Sequence, residues 1–452
     1  MIELSIFEAA REAPARIAIE TASRSITFGA CAASIARTQS AVDPDVVSAD
    51  PISRSAVPSA DPDPNVEVIV ATPSVDTVLA VHAALAAQRP IALLHHRLTA
   101  EETLRQRELV ERAELPGDAA VVLFTSGSTG SARGVVLSRA ALVAAAEASA
   151  QHLGWRDDDR WLLALSLAHA GGLSIVIRCL AGRQPIALCD HDFDRALVAQ
   201  MLEGCTLASL VPAQLASLLD DPAWRPPPRL RAVLLGGAAA PPALLERAAE
   251  RGVPFLTTYG MTETLGQVAT APIDRAGDPR APLVALEGVE LAAGSERAPA
   301  PIVVRAPMLA TRYLDGAPIA PAFTTSDLGY LADGVLHVTG RRDDVIITGG
   351  ENVHPAAIEA VLAATPGVRD ACAFGVHDER WGQIVAAALV VDPAFDPAAA
   401  AAHWHAALPA HARPRRLALC DRLPLLPSGK IDRRAAAGLP ASPVAYRSEG
   451  TE

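Results

Sequence analysis

The chain is 452 residues long, ample for a large buried core and, at roughly 100–200 residues per domain, for two to four domains or subdomains. Half of its residues are hydrophobic and 20% are charged, which excludes bulk disorder. Lys and Arg number 39 against 51 Asp and Glu, a formal net charge of −12, which excludes a general DNA or RNA binder but not a local basic pocket for a phosphorylated small molecule.

The opening Met1-Ile2-Glu3 shows no basic stretch followed by an apolar run, so no secretory signal is expected. Residues 41–64, rich in Asp, Pro and Ser, read as a loop or excursion. Val66–Thr72, Ala119–Ser126, Arg160–Ser166, Arg183–Cys189 and Leu230–Gly237 are apolar runs of buried-strand length. Between them Ser74–Gln88, Arg139–Leu153, Phe193–Leu202 and Pro241–Arg251 are expected helices. That alternation predicts α/β layers on a largely parallel sheet. Trp161–Leu180 is the most apolar window, but His169, a Gly pair and Arg178 make it core strand, loop and helix, not a membrane span. From Leu283 to Leu336 Pro and Gly multiply, which suits a small β-rich subdomain. After Gly340 an α+β pattern follows: a strand or hairpin at Asp343–Thr348, helices at Pro355–Ala364 and Pro397–Leu408, strands at Arg369–Asp378 and Ile384–Asp392. The expected division is residues 1–340, a hinge at 341–343, and residues 344–452. The six cysteines include no CxxC pair or metal-ligand spacing and are expected to be reduced, mostly buried thiols.

The sharpest local signal is FTSGSTGSARGV, Phe124–Val135, directly after an apolar strand. Glycines at 127, 130 and 134 allow a tight turn with exposed amides, Thr125, Ser126, Ser128 and Thr129 add hydroxyls, and Arg133 adds a cation. A loop of this kind, opening toward a helix, suits nucleotide phosphates. It matches neither GxxxxGK[ST] nor GxGxxG.

The loop is similar to the phosphate-binding signature of the acyl-adenylate-forming (AMP-binding) superfamily, with Ala132-Arg133 where that family usually has Pro-Lys. Further signatures follow in the family's order over about residues 119–434. LLGGAAAPP resembles the adenine-side loop, where Gly236, Gly237 and Ala238 would let the base approach backbone. TTYGMTET resembles the second nucleotide signature. The resemblance implies that Tyr259, followed by Gly260, packs on adenine, Thr262 meets the α-phosphate and Glu263 holds Mg²⁺. TTSDLGYL resembles the ribose segment, with Ser326 in place of Gly and Asp327 retained. GRRDDVIITGGENVHPAAIE resembles the hinge signature: Arg341 would also contact ribose, Asp343 would be the pivot, and Gly349 and Gly350 would leave room for a thiol-bearing arm. PLLPSGKIDRR supplies Lys430, implied to be the catalytic lysine of a mobile C-terminal domain.

The implied fold is α/β, a large N-terminal domain of layered α/β subdomains plus a small β-rich subdomain, then a small mobile α+β domain. The implied reaction is ATP-dependent activation of a carboxylic acid, with Mg²⁺ as cofactor and CoA as co-substrate. His169 stands where the family places a residue guarding the carboxylate end of the acyl pocket. The stretch Leu163–Gly182, TTYGMTET and TGGENVHP resemble the 2-succinylbenzoate–CoA ligases of menaquinone biosynthesis more than long-chain synthetases. A dicarboxylate needs an anchor, for which Arg178 with Ser174 is the first candidate and Thr258 and Gln214 the next. Three alternatives stay open: a CoA ligase for another aryl or short acyl acid, an adenylation enzyme loading a separate carrier protein, and a degenerate nucleotide binder. Expected partners are the small-molecule acid, ATP and CoA, with no nucleic acid and no membrane. The expected compartment is the cytoplasm, and homo-oligomerisation is left open.

Overall fold

The computed structural model describes residues 3–40, 66–125, 132–426 and 431–446. The stretch 41–64, the loop residues Ser126, Gly127, Ser128, Thr129 and Gly130, and Lys430 lie outside the described residues.

The expected apolar runs do form strands, trimmed at their ends: Glu67–Ala71, Ala119–Phe124, Trp161–Leu163, Ile186–Leu188 and Ala232–Leu235. The last four are buried throughout, as runs without polar alternation tend to be, whereas in Glu67–Ala71 only Ala71 is buried and Val70 is exposed. Serine and threonine set the helix starts. Ser74, Thr99 and Ser138 accept the backbone N–H of Thr77, Glu102 and Ala141, each cap being typically worth about 1 kcal/mol.

One sheet has 13 strands and two halves. In the first, Ile17–Glu20, Ile186–Leu188, Trp161–Leu163, Leu207–Leu210, Ala232–Leu235 and Phe255–Met261 run parallel. At Phe255–Met261 the pairing turns antiparallel and continues through Gly266–Thr270, Val284–Ala285, Val335–Arg341, Phe323–Ala332, Ala300–Arg305 and Glu290–Ala292. The Pro- and Gly-rich strands after Leu283 therefore extend the main sheet, except Arg312–Tyr313, which joins the second sheet. A second sheet has five strands, of which Glu67–Ala71, Ile91–His95 and Ala119–Phe124 are parallel.

The glycine loop differs from expectation. It joins Ala119–Phe124 to Gly134–Ser138, an antiparallel partner, and the helix Arg139–Leu153 begins only after that second strand. The strands on either side of it thus form an antiparallel pair, and the helix does not follow it directly.

The last strand of the large sheet in chain order ends at Arg341. Ile346–Thr348 then opens a separate six-stranded sheet, completed by Glu351–Val353, Gly382–Val391, Arg416–Leu419, Ser442–Pro443 and Val368–Asp378. Helices Pro355–Ala363 and Pro397–Ala407 bury Ile358, Leu362 and Trp404 against it. Trp404 Nε1 donates to Thr365 Oγ1 at 2.8 Å, so the buried ring leaves no polar atom unmatched. All six cysteines are free thiols, five buried and Cys420 half-buried.

Candidate nucleotide and acid site

The residues expected to take the nucleotide meet because of the sheet. Phe255–Met261 carries Tyr259, and the ladder between Phe323–Ala332 and Val335–Arg341 sets Asp327 directly opposite Arg341. Tyr259 Oη donates to Asp327 Oδ2 at 2.8 Å, so all three expected adenosine residues share one corner. Thr325 Oγ1 accepts the Asp327 N–H at 3.0 Å and fixes the carboxylate's backbone. Burial and the neighbouring Asp327 both push the Tyr259 phenol well above its usual range, so it stays protonated and keeps the hydrogen it donates to Asp327.

Glycine at 260 is dictated by close approach, since a Cβ there would lie 1.8 Å from Gly266 O in the facing strand. This lets the chain fold tightly through the 3₁₀ turn Thr262–Thr264, presenting Thr262 and the half-buried Glu263. Gly236 has a packing reason of its own. Its missing Cβ makes way for Thr258 Cγ2, which a side chain would meet at 2.6 Å. Gly237 takes φ +80°, and Ala238 follows in an exposed loop after the buried strand Ala232–Leu235.

At the stem of the phosphate loop, Thr125 N–H donates to Arg133 O at 2.9 Å, and Thr125 Oγ1 accepts the Arg133 N–H at 3.2 Å. The Arg133 guanidinium lies 3.6 Å over the Tyr313 ring and bonds Asp315 at 3.0 Å. Tyr313 Oη in turn donates to Glu263 Oε1 at 3.1 Å. A continuous chain thus runs from the loop's cation to the acidic side chain. Sequence reasoning missed Tyr313, in the strand Arg312–Tyr313 that pairs with Gly134–Ser138, and Asp315, which follows that strand and meets Arg133 across 182 residues. The Glu263 carboxylate, held by one phenol hydroxyl and still partly open, is a hard-oxygen donor of the kind Mg²⁺ takes.

On the acid side, His169 is half-buried at the start of helix Ala170–Gly182. Arg178, two turns on, is 3% exposed. Its Nη2 donates to Gln267 Oε1 at 2.7 Å, and its guanidinium lies 5.3 Å from the Trp161 ring. It is thus a core cation facing a neutral amide, not a helix-surface ion pair, and burial lowers its pKa to about 10. Gln267 was not anticipated. It gathers Arg178 and Ser149 on its oxygen and donates to Thr270, which bonds Thr258 at 2.8 Å. Thr258 is therefore linked to Arg178 through a buried polar relay. Ser174 and Gln214 are committed elsewhere. Ser174 Oγ donates to Gly171 O at 3.0 Å, whereas Gln214 caps its own helix at Val211 and bonds Ala164 O at 2.8 Å.

Asp343 sits in the 3₁₀ turn Arg342–Asp344, with Arg341 and Arg342 each 3.9 Å away. Gly349 and Gly350 form the two-residue hairpin between Ile346–Thr348 and Glu351–Val353, with φ +59° and +87°. Such a turn requires positive φ at both positions. A Cβ on Gly349 would strike Trp381 at 2.7 Å, while one on Gly350 would meet open space.

The AMP-binding enzyme family model matches residues 59–314, and that of the AMP-binding enzyme C-terminal domain matches 357–430. The chain belongs to the AMP-binding enzyme family. It is 34% identical to a 2-succinylbenzoate–CoA ligase of Listeria monocytogenes (serotype 4b, strain F2365) over 328 residues, 70% of this chain and 69% of that one. It is 37% identical to the enzyme of that name from Bacillus licheniformis over 331 residues, with the same coverage. Among solved structures it resembles o-succinylbenzoate CoA synthetase from Bacillus subtilis in complex with the acyl-adenylate OSB-AMP, with TM-score 0.80, 27% identity, 95% of this chain and 97% of that one covered. The same synthetase in complex with ATP and magnesium ion gives 0.79, 27%, 94% and 97%.

Proposed function

We propose that this chain is an ATP-dependent acid–CoA ligase acting through an acyl-adenylate, with 2-succinylbenzoate as the acid: 2-succinylbenzoate, ATP and CoA give 2-succinylbenzoyl-CoA, AMP and diphosphate. The observation that carries this reading is the near-complete match to a synthetase whose structure holds the o-succinylbenzoyl adenylate, over 95% of this chain. The product would serve menaquinone biosynthesis, and the compartment would be the cytoplasm, where ATP and CoA are found.

The chemistry follows from charge. A carboxylate has a poor leaving group, and its approach to a triphosphate brings two anions together. In the first half-reaction its oxygen bonds the α-phosphorus while the bond to diphosphate breaks. The donors of loop 125–134, Thr262 and Lys430 stabilise the charge that gathers there. Magnesium, when bound, screens the phosphates, and Glu263, oriented by Tyr313, is the residue to hold it. Tyr259, Asp327 and Arg341 align the adenosine. In the second half-reaction the CoA thiolate bonds the acyl carbon and AMP leaves, with residues 341–343 as the swivel and Gly350 beside the thiol's path. Arg178, a buried cation behind the acid side, supplies the positive potential that a second substrate carboxylate needs, directly or through Gln267.

Tyr259→Phe removes one hydrogen bond to a carboxylate, worth about 1–2 kcal/mol, so the KM for ATP is expected to rise roughly five- to thirtyfold while that for the acid stays put. Equal changes in both constants would argue against an adenosine-side role. The decisive experiment is a diphosphate-release screen of carboxylic acids with ATP, CoA and Mg²⁺. The expected result is a strong response to 2-succinylbenzoate. Silence toward it beside a strong response to benzoate would reject the acid assigned here, and turnover only with a phosphopantetheinyl carrier protein would reject free CoA as acceptor.

A further inference from the structure

His95 ends the buried strand Ile91–His95 of the five-stranded sheet, with His96 next to it, and neither belongs to the site described above. They connect the two sheets. The His95 ring centroid is 4.9 Å from that of His169, tilted by 39°, and 4.8 Å from that of His96, nearly parallel at 15°. His96 is fixed at both nitrogens, with Nδ1 3.2 Å from Ala71 O and Nε2 2.8 Å from Asp192 Oδ1. Asp192 follows the strand Ile186–Leu188 of the large sheet and also pairs with Arg97 at 3.0 Å. A column therefore runs Asp192, His96, His95, His169, leaving the large sheet, crossing the small one and returning at the head of helix Ala170–Gly182.

The His95 ring is also set in orientation. The Arg97 backbone N–H donates to Nδ1 at 3.1 Å, so that nitrogen accepts and the ring proton resides on Nε2. The side chain is 8% exposed, and burial, reinforced by neighbouring His96 and Arg97, lowers its pKa to about 4, which keeps it neutral. A neutral ring of fixed tautomer, packed against His169 and stacked on a clamped neighbour, restricts the His169 imidazole without adding charge to a site that must accept a carboxylate.

We propose that His95 is the positioning residue of His169, holding its imidazole at the carboxylate end of the acid pocket and so setting how the acid is presented to ATP. The inference rests on the reading of His169 as the residue at that end, and the test separates the two. Diphosphate release with 2-succinylbenzoate is measured for the wild type, His95→Ala, His95→Phe, His169→Ala, the His95→Ala/His169→Ala pair, and Asp192→Asn. Loss of an aromatic packing partner is expected to raise the acid's KM about five- to tenfold in His95→Ala with the KM for ATP unchanged, and Phe, which restores a ring, is expected to recover most of it. In the His169→Ala background, His95→Ala is expected to add less than about twofold, because coupled residues are not additive. Asp192→Asn loosens the column without removing a ring and guards against a folding defect in His95→Ala. It is expected to raise the acid's KM about two- to threefold. Independent multiplication of the two alanine effects, equal changes in the KM values of acid and ATP, or an Asp192→Asn enzyme with the wild-type acid KM would overturn the proposal while leaving His169 in place. Wild-type kinetics in His169→Ala would overturn the reading of His169 and the proposal with it.

Discussion

Lys430→Ala is expected to abolish adenylate formation while sparing thiolysis of a supplied acyl-adenylate. The reason is where charge accumulates. Only the first half-reaction concentrates negative charge at a phosphorus while an anion attacks it. Removal of one well-placed donor at such a centre lowers the rate on the order of 10²–10³-fold. Leu425 and Ile431 face each other in an antiparallel bridge, and the Asp432 N–H donates to Pro424 O at 2.9 Å. The check uses two assays on one protein: diphosphate release from acid and ATP, and CoA thioester formation from synthetic acyl-adenylate. A parallel fall in both would mean that Lys430 supports the fold or the second step, and the assigned division of labour would fail.

How much of this was legible beforehand depends on whether a signal was local. Buried parallel strands announced themselves because continuous apolar runs have few other places to go. The helix Ala100–Glu111 was missed because its charged face has little apolar periodicity, and Gly134–Ser138 because a five-residue strand following a glycine loop reads as part of that loop. At two of the glycines the structure shows a packing reason that the sequence did not reveal, since Gly236 yields to Thr258 and Gly260 to Gly266. Arg178 stood out as a cation in the most apolar window of the chain. Its partner Gln267 did not, because a lone glutamine near a strand start carries no pattern, and 89 residues separate the two. Tyr313, Asp315, His95 and Asp192 are likewise visible only once sheet pairing has brought distant segments together. Long-range pairing, not residue chemistry, limited the sequence reading.

Arg433→Ala is expected to damage both half-reactions, unlike Lys430→Ala, because Arg433 ties the lysine's segment to the body of its domain. It follows Asp432, the cap of the short helix Arg433–Ala437. Its guanidinium takes Glu359 with both Nη atoms, Asp344 Oδ2 at 3.3 Å through Nε, and Ala373 O at 2.9 Å. One arginine thus links the residue after the proposed pivot, the helix Pro355–Ala363 and the strand Val368–Asp378. Burial opposes its charge, but the Glu359 carboxylate outweighs that and holds the proton more tightly than in free arginine. Glu359 is only 19% exposed, so truncating its partner leaves a largely desolvated carboxylate with Ala373 N–H, at 2.8 Å, as its remaining described donor. Breaking a fully buried pair from one side costs about 3–5 kcal/mol, and this part-buried one a few kcal/mol at most, a large share of a small domain's stability. Limited proteolysis is expected to cleave the variant after residue 341 while the large sheet survives, and Arg433→Lys is expected to rescue little, because an ammonium cannot bridge two carboxylates and a carbonyl in one plane. Wild-type protease resistance together with loss of the first half-reaction alone would show instead that Arg433 acts on the nucleotide site and not on the domain that carries Lys430.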